Sequence, residues 1–266
     1  MRPILFEFEI FGMHPKIHAF GTFIVLAFLV SAFYVRRRAS KGLGLDKERV
    51  FNICFGLLFI ALIGARLLYT FVHHSEFVKE PGSFLYVWRG GLVFYGGLIA
   101  CLFWLAWYLP RHTDLKGFAF LDVLALGACL AIFVGRWASF LSGENYGKIA
   151  PDLPWGVIFP PDSHARPTGV KLHPTQLYHS LHGLLLFGLL WLYARKSPHP
   201  GRIFGLFLML YAVGRSIIEI WRADDAARGM VIDGLVSTSQ LISIPIFFAG
   251  LAIFLIRRPP TEAEAG

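Results

Sequence analysis

Long apolar runs constrain this chain more than any other feature of its sequence. A helix that crosses the hydrocarbon core of a bilayer needs about 20 consecutive, mostly apolar residues. Runs of this kind, each bounded by charged residues, proline or glycine, lie at residues 17–34, 51–71, 91–108, 118–140, 175–193, 203–221 and 235–256. Only 16% of the residues are charged, whereas soluble domains have about 25%. The sequence therefore predicts an all-α, polytopic integral membrane protein with about seven transmembrane helices, which form one domain over residues 1–266.

Basic residues flank the spans unevenly, and this asymmetry predicts the orientation of the chain. Short cytoplasmic loops retain Lys and Arg preferentially. Thirteen of the 25 basic residues lie in the loops that follow the first, third, fifth and seventh spans, and nine are spread over longer segments on the other side. We therefore expect the N-terminus to face outward. The net charge of +8 then reflects topology and contact with anionic lipid head groups, and no module of stacked aromatic and basic residues points to nucleic acid.

The remaining three basic residues, Arg66, Arg136 and Arg215, lie inside apolar spans. An arginine at the centre of a membrane helix costs about 2.5–3.5 kcal/mol on insertion scales. Arg66 lies near the outer end of its span, where it either reaches the head groups or contributes to a site. Arg215 shares a helical face with Glu219 and Arg222. Two arginines with one glutamate suit a bound anion such as a lipid phosphate, and the alternative is a closed structural cluster.

Three polar stretches begin or end spans on the outer side of the predicted topology. They are residues 89–97, 135–147 and 173–180. The first places Tyr95 between two glycine pairs, as part of either a packed loop or an aromatic belt. The second runs from Arg136 into a segment bounded by glycines, which is either a site or a plain helix end. The third contains His173 and Gln176, which either face a polar cavity or belong to a capped helix end. Because all three lie on the same side, they can converge on one site.

Five stretches of this sequence are similar, in this order, to the motifs of prolipoprotein diacylglyceryl transferases. They are residues 89–97, 135–147, 173–180, 214–222 and 240–245. One such motif alone is a weak signal, but five in order across seven matching spans cover about nine tenths of the chain. The chain therefore resembles this family over most of its length.

The resemblance implies an enzyme of the bacterial inner membrane, with a periplasmic N-terminus, a periplasmic loop region and a cytoplasmic C-terminus. Such an enzyme transfers the diacylglyceryl group of phosphatidylglycerol to the lipobox cysteine in the signal peptide of a preprolipoprotein, forms a thioether and releases glycerol phosphate. The resemblance implies no metal and no diffusible cofactor. Cationic side chains would hold the phosphate and stabilise the charge that grows on the leaving group.

The family motifs also imply roles for individual residues. Arg136 and Arg215 are the principal candidates for phosphate binding or catalysis. The other side chains expected to bind substrate or to orient these arginines are Arg66, Ser139, Glu144, Gln176, Glu219 and Arg222. In this set the two glutamates orient the arginines. Gly143 and Gly147 are expected to shape the backbone around them.

The sequence departs from the usual motifs of the family at several positions. Tyr95 replaces a histidine that is common in the glycine-rich stretch, so His173 becomes our candidate for the base that removes the thiol proton. A base or a strongly positive field is needed, because a cysteine thiol has a pKa of about 8.5. Tyr95 remains a catalytic candidate, since it retains a hydroxyl that can bond a lipid head group, and its phenol can pass a proton only if its pKa is lowered well below about 10. The other departures are Phe20 in place of tyrosine, Ser139 and Ser142 in place of asparagine, and His179 in place of glutamate.

A transporter or channel is the main alternative from another functional class. Arginines and broken helices inside the membrane line anion pathways in such proteins, and internal repeats are typical of them. The two halves of this sequence show no convincing repeat, and the polar stretches lie on one side of the predicted topology. Both observations favour the enzyme.

Overall fold

The structure of the chain, a computed structural model, describes residues 4–7, 16–74, 82, 91–196, 198–223, 230–232 and 236–257. These residues include seven long helices. They are α1 (Ala19–Leu43), α2 (Lys47–Val72), α3 (Phe94–Arg111), α4 (Gly117–Ser142), α5 (Thr175–Ala194), α6 (Arg202–Glu219) and α7 (Thr238–Ile256). Three antiparallel strand pairs join β1 (Ile4–Glu7) to β2 (Lys16–His18), β3 (Val157–Ile158) to β4 (Lys171–Leu172), and β5 (Met230–Ile232) to β6 (Val236–Ser237).

Each predicted span coincides with one of these helices, which confirms the all-α, polytopic fold. Five of them, α1, α2, α4, α5 and α7, are long and apolar enough to cross a membrane. Large apolar side chains on helix surfaces are exposed, as expected of helices that face lipid; Phe71 is 79% and Phe103 is 73% exposed. α6 carries the charged residues Arg202, Arg215 and Glu219 within its 18 positions. The number of seven crossings therefore stays a prediction.

By its internal contacts the chain divides into two compact units. The first consists of residues 1–31 and 121–266, and the second of residues 32–120. The first unit contains α5, α6, α7 and nearly all of α4, and the second contains α2 and α3. The single domain expected over the whole chain stays a prediction.

In the second unit, α2 and α3 approach closely through small residues. A Cβ atom added to Gly97 would lie 2.7 Å from the carbonyl oxygen of Ala61, and one added to Gly64 would lie 2.5 Å from the carbonyl oxygen of Gly96. Real Cβ atoms are not accommodated at these distances. Small residues allow such backbone contact between membrane helices, and here they hold α3 against α2.

In the first unit, α6 packs on α7 and α5 packs on α4 by the same means. A Cβ atom added to Gly205 would lie 2.7 Å from the carbonyl oxygen of Gly250, and one added to Gly183 would lie 2.9 Å from the backbone nitrogen of Phe133. The hydroxyl of Ser180 donates a hydrogen bond of 2.7 Å to the carbonyl oxygen of Phe133. These contacts fix one face of α5 against α4.

A buried carboxylate on α4 determines where α6 begins. Asp122 is 6% exposed, and its oxygens accept hydrogen bonds from the backbone N–H groups of Gly201 at 2.8 Å and Phe204 at 2.7 Å. The first N–H groups of a helix have no partner inside the helix, and a negative charge there also interacts favourably with the helix dipole. Asp122 therefore anchors the start of α6 to α4, and with it the positions of the residues further along α6.

We expect Asp122→Ala to destabilise the protein by about 2 kcal/mol, because two buried backbone donors lose their acceptor. The apparent Tm of the purified protein in detergent measures this loss, and Asp122→Asn, which retains one acceptor oxygen, should lose less. Asp152→Ala, at an exposed position, is the matched control. An unchanged Tm in Asp122→Ala would show that the cap contributes nothing to stability.

Candidate active site

Two arginines and one glutamate form a buried cluster at the end of α6. Glu219 is completely buried, and its carboxylate pairs with Arg215 and with Arg222, whose Nη1 lies 3.5 Å away. Arg215 also donates a hydrogen bond of 3.0 Å to the hydroxyl of Ser239, in the first turn of α7. The predicted pairing is therefore observed, but α6 ends at Glu219 and Arg222 lies just beyond the helix. Among the described residues, the charges of these two arginines and one glutamate sum to a net positive charge.

The polar segment after α4 folds into a tight turn. Gly143 has a φ of 77° and Asn145 a φ of 56°, in the left-handed region that glycine adopts readily and asparagine tolerates. A Cβ atom at Gly143 would also lie 2.8 Å from the Cβ atom of Ser163. The side-chain amide of Asn145 donates to the hydroxyl of Ser139 at 3.4 Å. This contact ties the turn back to α4.

Asn145 joins this turn to α5 and to the arginine cluster. Its side-chain carbonyl accepts a hydrogen bond of 3.1 Å from Nη2 of Arg222, and its backbone carbonyl accepts one of 2.6 Å from the hydroxyl of Thr175. Nε2 of Gln176 donates to the backbone carbonyl of Glu144 at 2.6 Å. The carboxylate of Glu144 forms no ion pair within the part of the chain that the structure describes. Asn145, which was not among the predicted site residues, therefore holds Arg222 in place.

Gly147 lies where three backbone segments meet. Its N–H donates to the carbonyl oxygen of His173 at 3.0 Å, and its backbone forms an isolated β-bridge with Arg222. A Cβ atom at this position would lie 2.5 Å from the Cβ atom of His173 and 2.8 Å from the carbonyl oxygen of Trp221. No larger residue fits here without displacing the backbone. The polar stretches that follow α4 and precede α5 therefore meet in the first unit, as predicted for these two, and the end of α6 joins them there.

Arg136 is half-buried on α4, two helical turns before the tight turn. Its guanidinium lies within electrostatic reach of Tyr211, Arg215, Glu219 and Arg222, but it forms no hydrogen bond or ion pair with any residue that the structure describes. Such an arginine leaves up to five N–H donors for a ligand. The arrangement suits an anion beside the arginine cluster. The described residues contain no group of three His, Cys, Asp or Glu side chains that could hold a metal ion.

His173 lies just before α5, outside the membrane-spanning segments, in a chain of aromatic side chains. Its Nδ1 lies 3.0 Å from the hydroxyl of Tyr178, which accepts a hydrogen bond of 3.0 Å from the indole N–H of Trp155. Partial burial, and then the positive charge of Lys148, lower the pKa of His173. The imidazole of His173 is therefore neutral at pH 7.

Arg66 and Tyr95 belong to the second unit. Arg66 is buried, its Nη1 donates a hydrogen bond of 2.8 Å to the carbonyl oxygen of Gly91, and its guanidinium lies 5.2 Å from the ring centroid of Tyr69. Tyr95 is half-buried in the first turn of α3. The start of the glycine-rich stretch, residues 89–90, lies outside the described residues. The part that is described packs on α2, which supports the packed-loop interpretation.

Sequence reasoning missed the contacts of Asn145, Thr175 and Ser239. Asn145 carries a usable signal, because an asparagine between two nearby glycines is typical of a left-handed turn position. Ser239 lies in a polar segment before an apolar run, which predicts only a capped helix start. Its hydrogen bond to Arg215 depends on how α7 packs on α6, and no local pattern contains that information.

Comparison with known proteins decides which family this site belongs to. The family model of prolipoprotein diacylglyceryl transferases matches residues 3–256. The chain belongs to this family. It is 35% identical to a protein named phosphatidylglycerol–prolipoprotein diacylglyceryl transferase from Geobacter sulfurreducens, over 92% of this chain and 93% of that protein. A protein of the same name from Clostridium tetani is 36% identical, over 97% of this chain and 98% of the relative.

Membership in the prolipoprotein diacylglyceryl transferase family confirms the resemblance predicted from the motifs. The matched range includes Arg136, the turn after α4 and the arginine cluster of α6. The candidate site is therefore part of the transferase itself and not of an added segment.

Proposed function

We propose that this chain transfers the diacylglyceryl group of phosphatidylglycerol to the lipobox cysteine of a preprolipoprotein. Membership in the family supports the reaction, and the relatives are named for the same two substrates. The cysteine sulfur attacks a glyceryl carbon, a C–S bond forms, and the C–O bond to the phosphate breaks. The products are a thioether-linked lipoprotein and glycerol phosphate.

The observation that carries the proposal is an unpaired arginine beside a positively charged cluster. Arg136 has no protein partner among the described residues, where Arg215 and Arg222 both pair with the carboxylate of Glu219. A phosphodiester carries one negative charge, and the departing phosphate gains a second as the C–O bond breaks. Fixed donors stabilise this growing charge more than they stabilise the substrate. We assign this role to Arg136 and Arg215.

The other candidate residues support these arginines or contact the substrates. Glu219 holds Arg215, and Asn145 holds Arg222. The remaining residues proposed to contact the lipid, the peptide or the reacting groups are Arg66, Tyr95, Ser139, Glu144, Gly147, His173 and Gln176. The hydroxyl of Tyr95 is proposed to bond the lipid head group.

The enzyme is further proposed to cross the bacterial inner membrane seven times, with a periplasmic N-terminus and a cytoplasmic C-terminus. The excess of basic residues in alternate loops supports this orientation. A membrane-impermeant maleimide should label Asp152→Cys, in the loop between α4 and α5, in intact spheroplasts. It should label His199→Cys, in the loop between α5 and α6, only after permeabilisation. The reverse pattern would refute the orientation.

A reconstituted reaction tests the proposed function. The purified protein, in nanodiscs that contain phosphatidylglycerol, is incubated with a peptide that has a lipobox cysteine. We expect the peptide to gain one diacylglyceryl group in a linkage that resists hydroxylamine, and glycerol phosphate to be released in equal amount. A peptide with serine in place of the cysteine is the matched control and should not react. Absence of the thioether product from the cysteine peptide would refute the proposed function.

A further inference from the structure

One face of α5 carries a column of buried polar atoms that have no hydrogen-bond partner. They are Oε1 of Gln176, Nε2 of His179 and Nδ1 of His182. Because these residues are three positions apart, they lie on successive turns of the helix, about 4.5 Å apart along its axis. A buried polar atom without a partner costs about 1–3 kcal/mol, and most such atoms in folded proteins are paired. The column therefore indicates a place that a polar ligand or water fills.

His179 lies in the middle of this column, and its side chain is more deeply buried than that of His182, the other histidine of the column. Its side chain is 1% exposed, and Gln176 one turn earlier is fully buried. Ser180 and Gly183 hold the same face of α5 against α4, through Phe133. The imidazole is therefore fixed inside the helix bundle of the first unit.

Charged groups of the candidate site act on His179 through their electrostatic field. Arg136 on α4, Arg215 on α6 and Arg222 just after α6 lie within its electrostatic reach. Glu219, the acidic residue of this group, is paired with two of these arginines. On α5 itself, the neighbouring titratable group is His182. An imidazole nitrogen without a donor facing it thus lies beside the groups proposed to hold the phosphate.

We infer that His179 accepts the proton of the incoming cysteine thiol, directly or through one water molecule. This inference rests on the proposed function. The S–H proton passes to Nε2 as the sulfur attacks the glyceryl carbon and the C–S bond forms. The C–O bond breaks, and its electron pair leaves on the phosphate oxygen. The proton then passes to the glycerol phosphate. The three arginines oppose a positive charge on the imidazole, so they disfavour its lasting protonation and favour this return once the phosphate has gained its second negative charge.

His173, the histidine favoured by the sequence, is less suited to this task. Its Nδ1 already contacts the hydroxyl of Tyr178 at 3.0 Å, and its side chain is only half-buried. Nε2 of His179 is buried and unpartnered. A neutral imidazole has one acceptor nitrogen, and in the tautomer of His179 that carries its proton on Nδ1, Nε2 is an acceptor available to a substrate.

The pH dependence of His179→Gln tests the inference in the full-length protein, with the nanodiscs and the cysteine peptide described above. Glutamine has a similar reach but does not take up a proton near neutral pH. The transfer rate at pH 7 should fall at least about 100-fold, since a general base contributes roughly 10²–10⁴-fold. The loss should shrink as the pH passes the thiol pKa of about 8.5, where the thiol ionises without a base. His199→Gln, at an exposed position, is the control and should retain the wild-type rate and pH profile.

A peptide with selenocysteine in place of the cysteine separates a proton acceptor from a positioning residue, because a selenol is already ionised at neutral pH. With this peptide, His179→Gln should react nearly as fast as the wild type. An equal loss with both peptides at every pH would identify a positioning residue and overturn the inference. Full activity of His179→Gln with the cysteine peptide would overturn it as well.

Two further measurements distinguish a failure of the role assigned to His179 from a failure of the transfer reaction itself. If His179→Gln does not fold, His179→Asn is the second variant. With the wild type alone, the rate for the cysteine peptide should change little between about pH 6.5 and 8, and a rise of about tenfold per pH unit, as expected when the thiol ionises without a base, would overturn the inference. If the wild type forms no thioether with either peptide, the proposed function itself has failed.

Discussion

Arg136→Ala should lower the rate of diacylglyceryl transfer at least about 100-fold and leave the protein folded, because one fixed donor to a growing negative charge contributes roughly 10²–10³-fold. The fold should persist because the guanidinium has no partner among the described residues that its removal would leave unpaired. An arginine inside an apolar span also carries an insertion cost of about 2.5–3.5 kcal/mol, which alanine removes. Mass spectrometry of the peptide measures the rate, and the apparent Tm in detergent measures the fold.

Two further variants define what Arg136 contributes. Arg136→Lys retains the positive charge but loses the planar pair of donors that binds a phosphate in bidentate fashion, so it should recover only part of the rate. Arg195→Ala, at an exposed position that follows α5, is the matched control and should be fully active. A near-wild-type rate in Arg136→Ala would reject the phosphate role. A loss of rate together with a lower Tm would assign Arg136 to the fold instead.

The helices of this protein were predictable because a membrane crossing requires apolar length. The predicted spans at residues 51–71 and 118–140 lie within α2 and α4, and differ from them by a few residues at each end. The largest difference is in α1, which continues to Leu43 past the predicted end at residue 34. Hydropathy detects the segment inside the lipid, whereas a helix stabilised by its own hydrogen bonds can continue through a basic segment into water.

The charged members of the site were also predictable, because a charge in an apolar span is costly and needs a reason. Their partners were predictable only within one helix, where the spacing of Arg215 and Glu219 fixes their contact. Contacts between helices had no sequence signal. Asp122 accepts a hydrogen bond from Gly201, 79 positions later in the chain. Ser239 accepts one from Arg215 across the packing of α6 on α7.

The surroundings of His179 were likewise not predictable from the sequence. Its departure from the usual motif was visible in the sequence, but a histidine in place of a glutamate has no meaning without its surroundings. The burial of its side chain and the missing partner of Nε2 are properties of the packed helices. Sequence reasoning instead favoured His173, although both histidines lie in the polar stretch 173–180, because local sequence cannot show which of the two is buried without a partner.

Glu219→Ala should destabilise the protein by about 3–5 kcal/mol, which lowers the apparent Tm in detergent by about 10 °C. The carboxylate is fully buried and pairs with both Arg215 and Arg222. Its removal leaves two buried positive charges without their counter-ion. Transfer activity should fall as well, because Arg215 loses the contact that orients it toward the phosphate.

A second substitution tests whether charge is the cause. Glu219→Ala combined with Arg222→Ala restores the net charge of the cluster, so the double variant should be more stable than Glu219→Ala alone, and the two effects should not add.

The exposed pair of Arg49 and Asp114, whose side chains are 37% and 55% exposed, provides the matched control. Asp114→Ala should cost less than about 1 kcal/mol, because water already solvates both partners. If Glu219→Ala proved as stable as the wild type, the carboxylate would not be what retains the arginines inside the bundle.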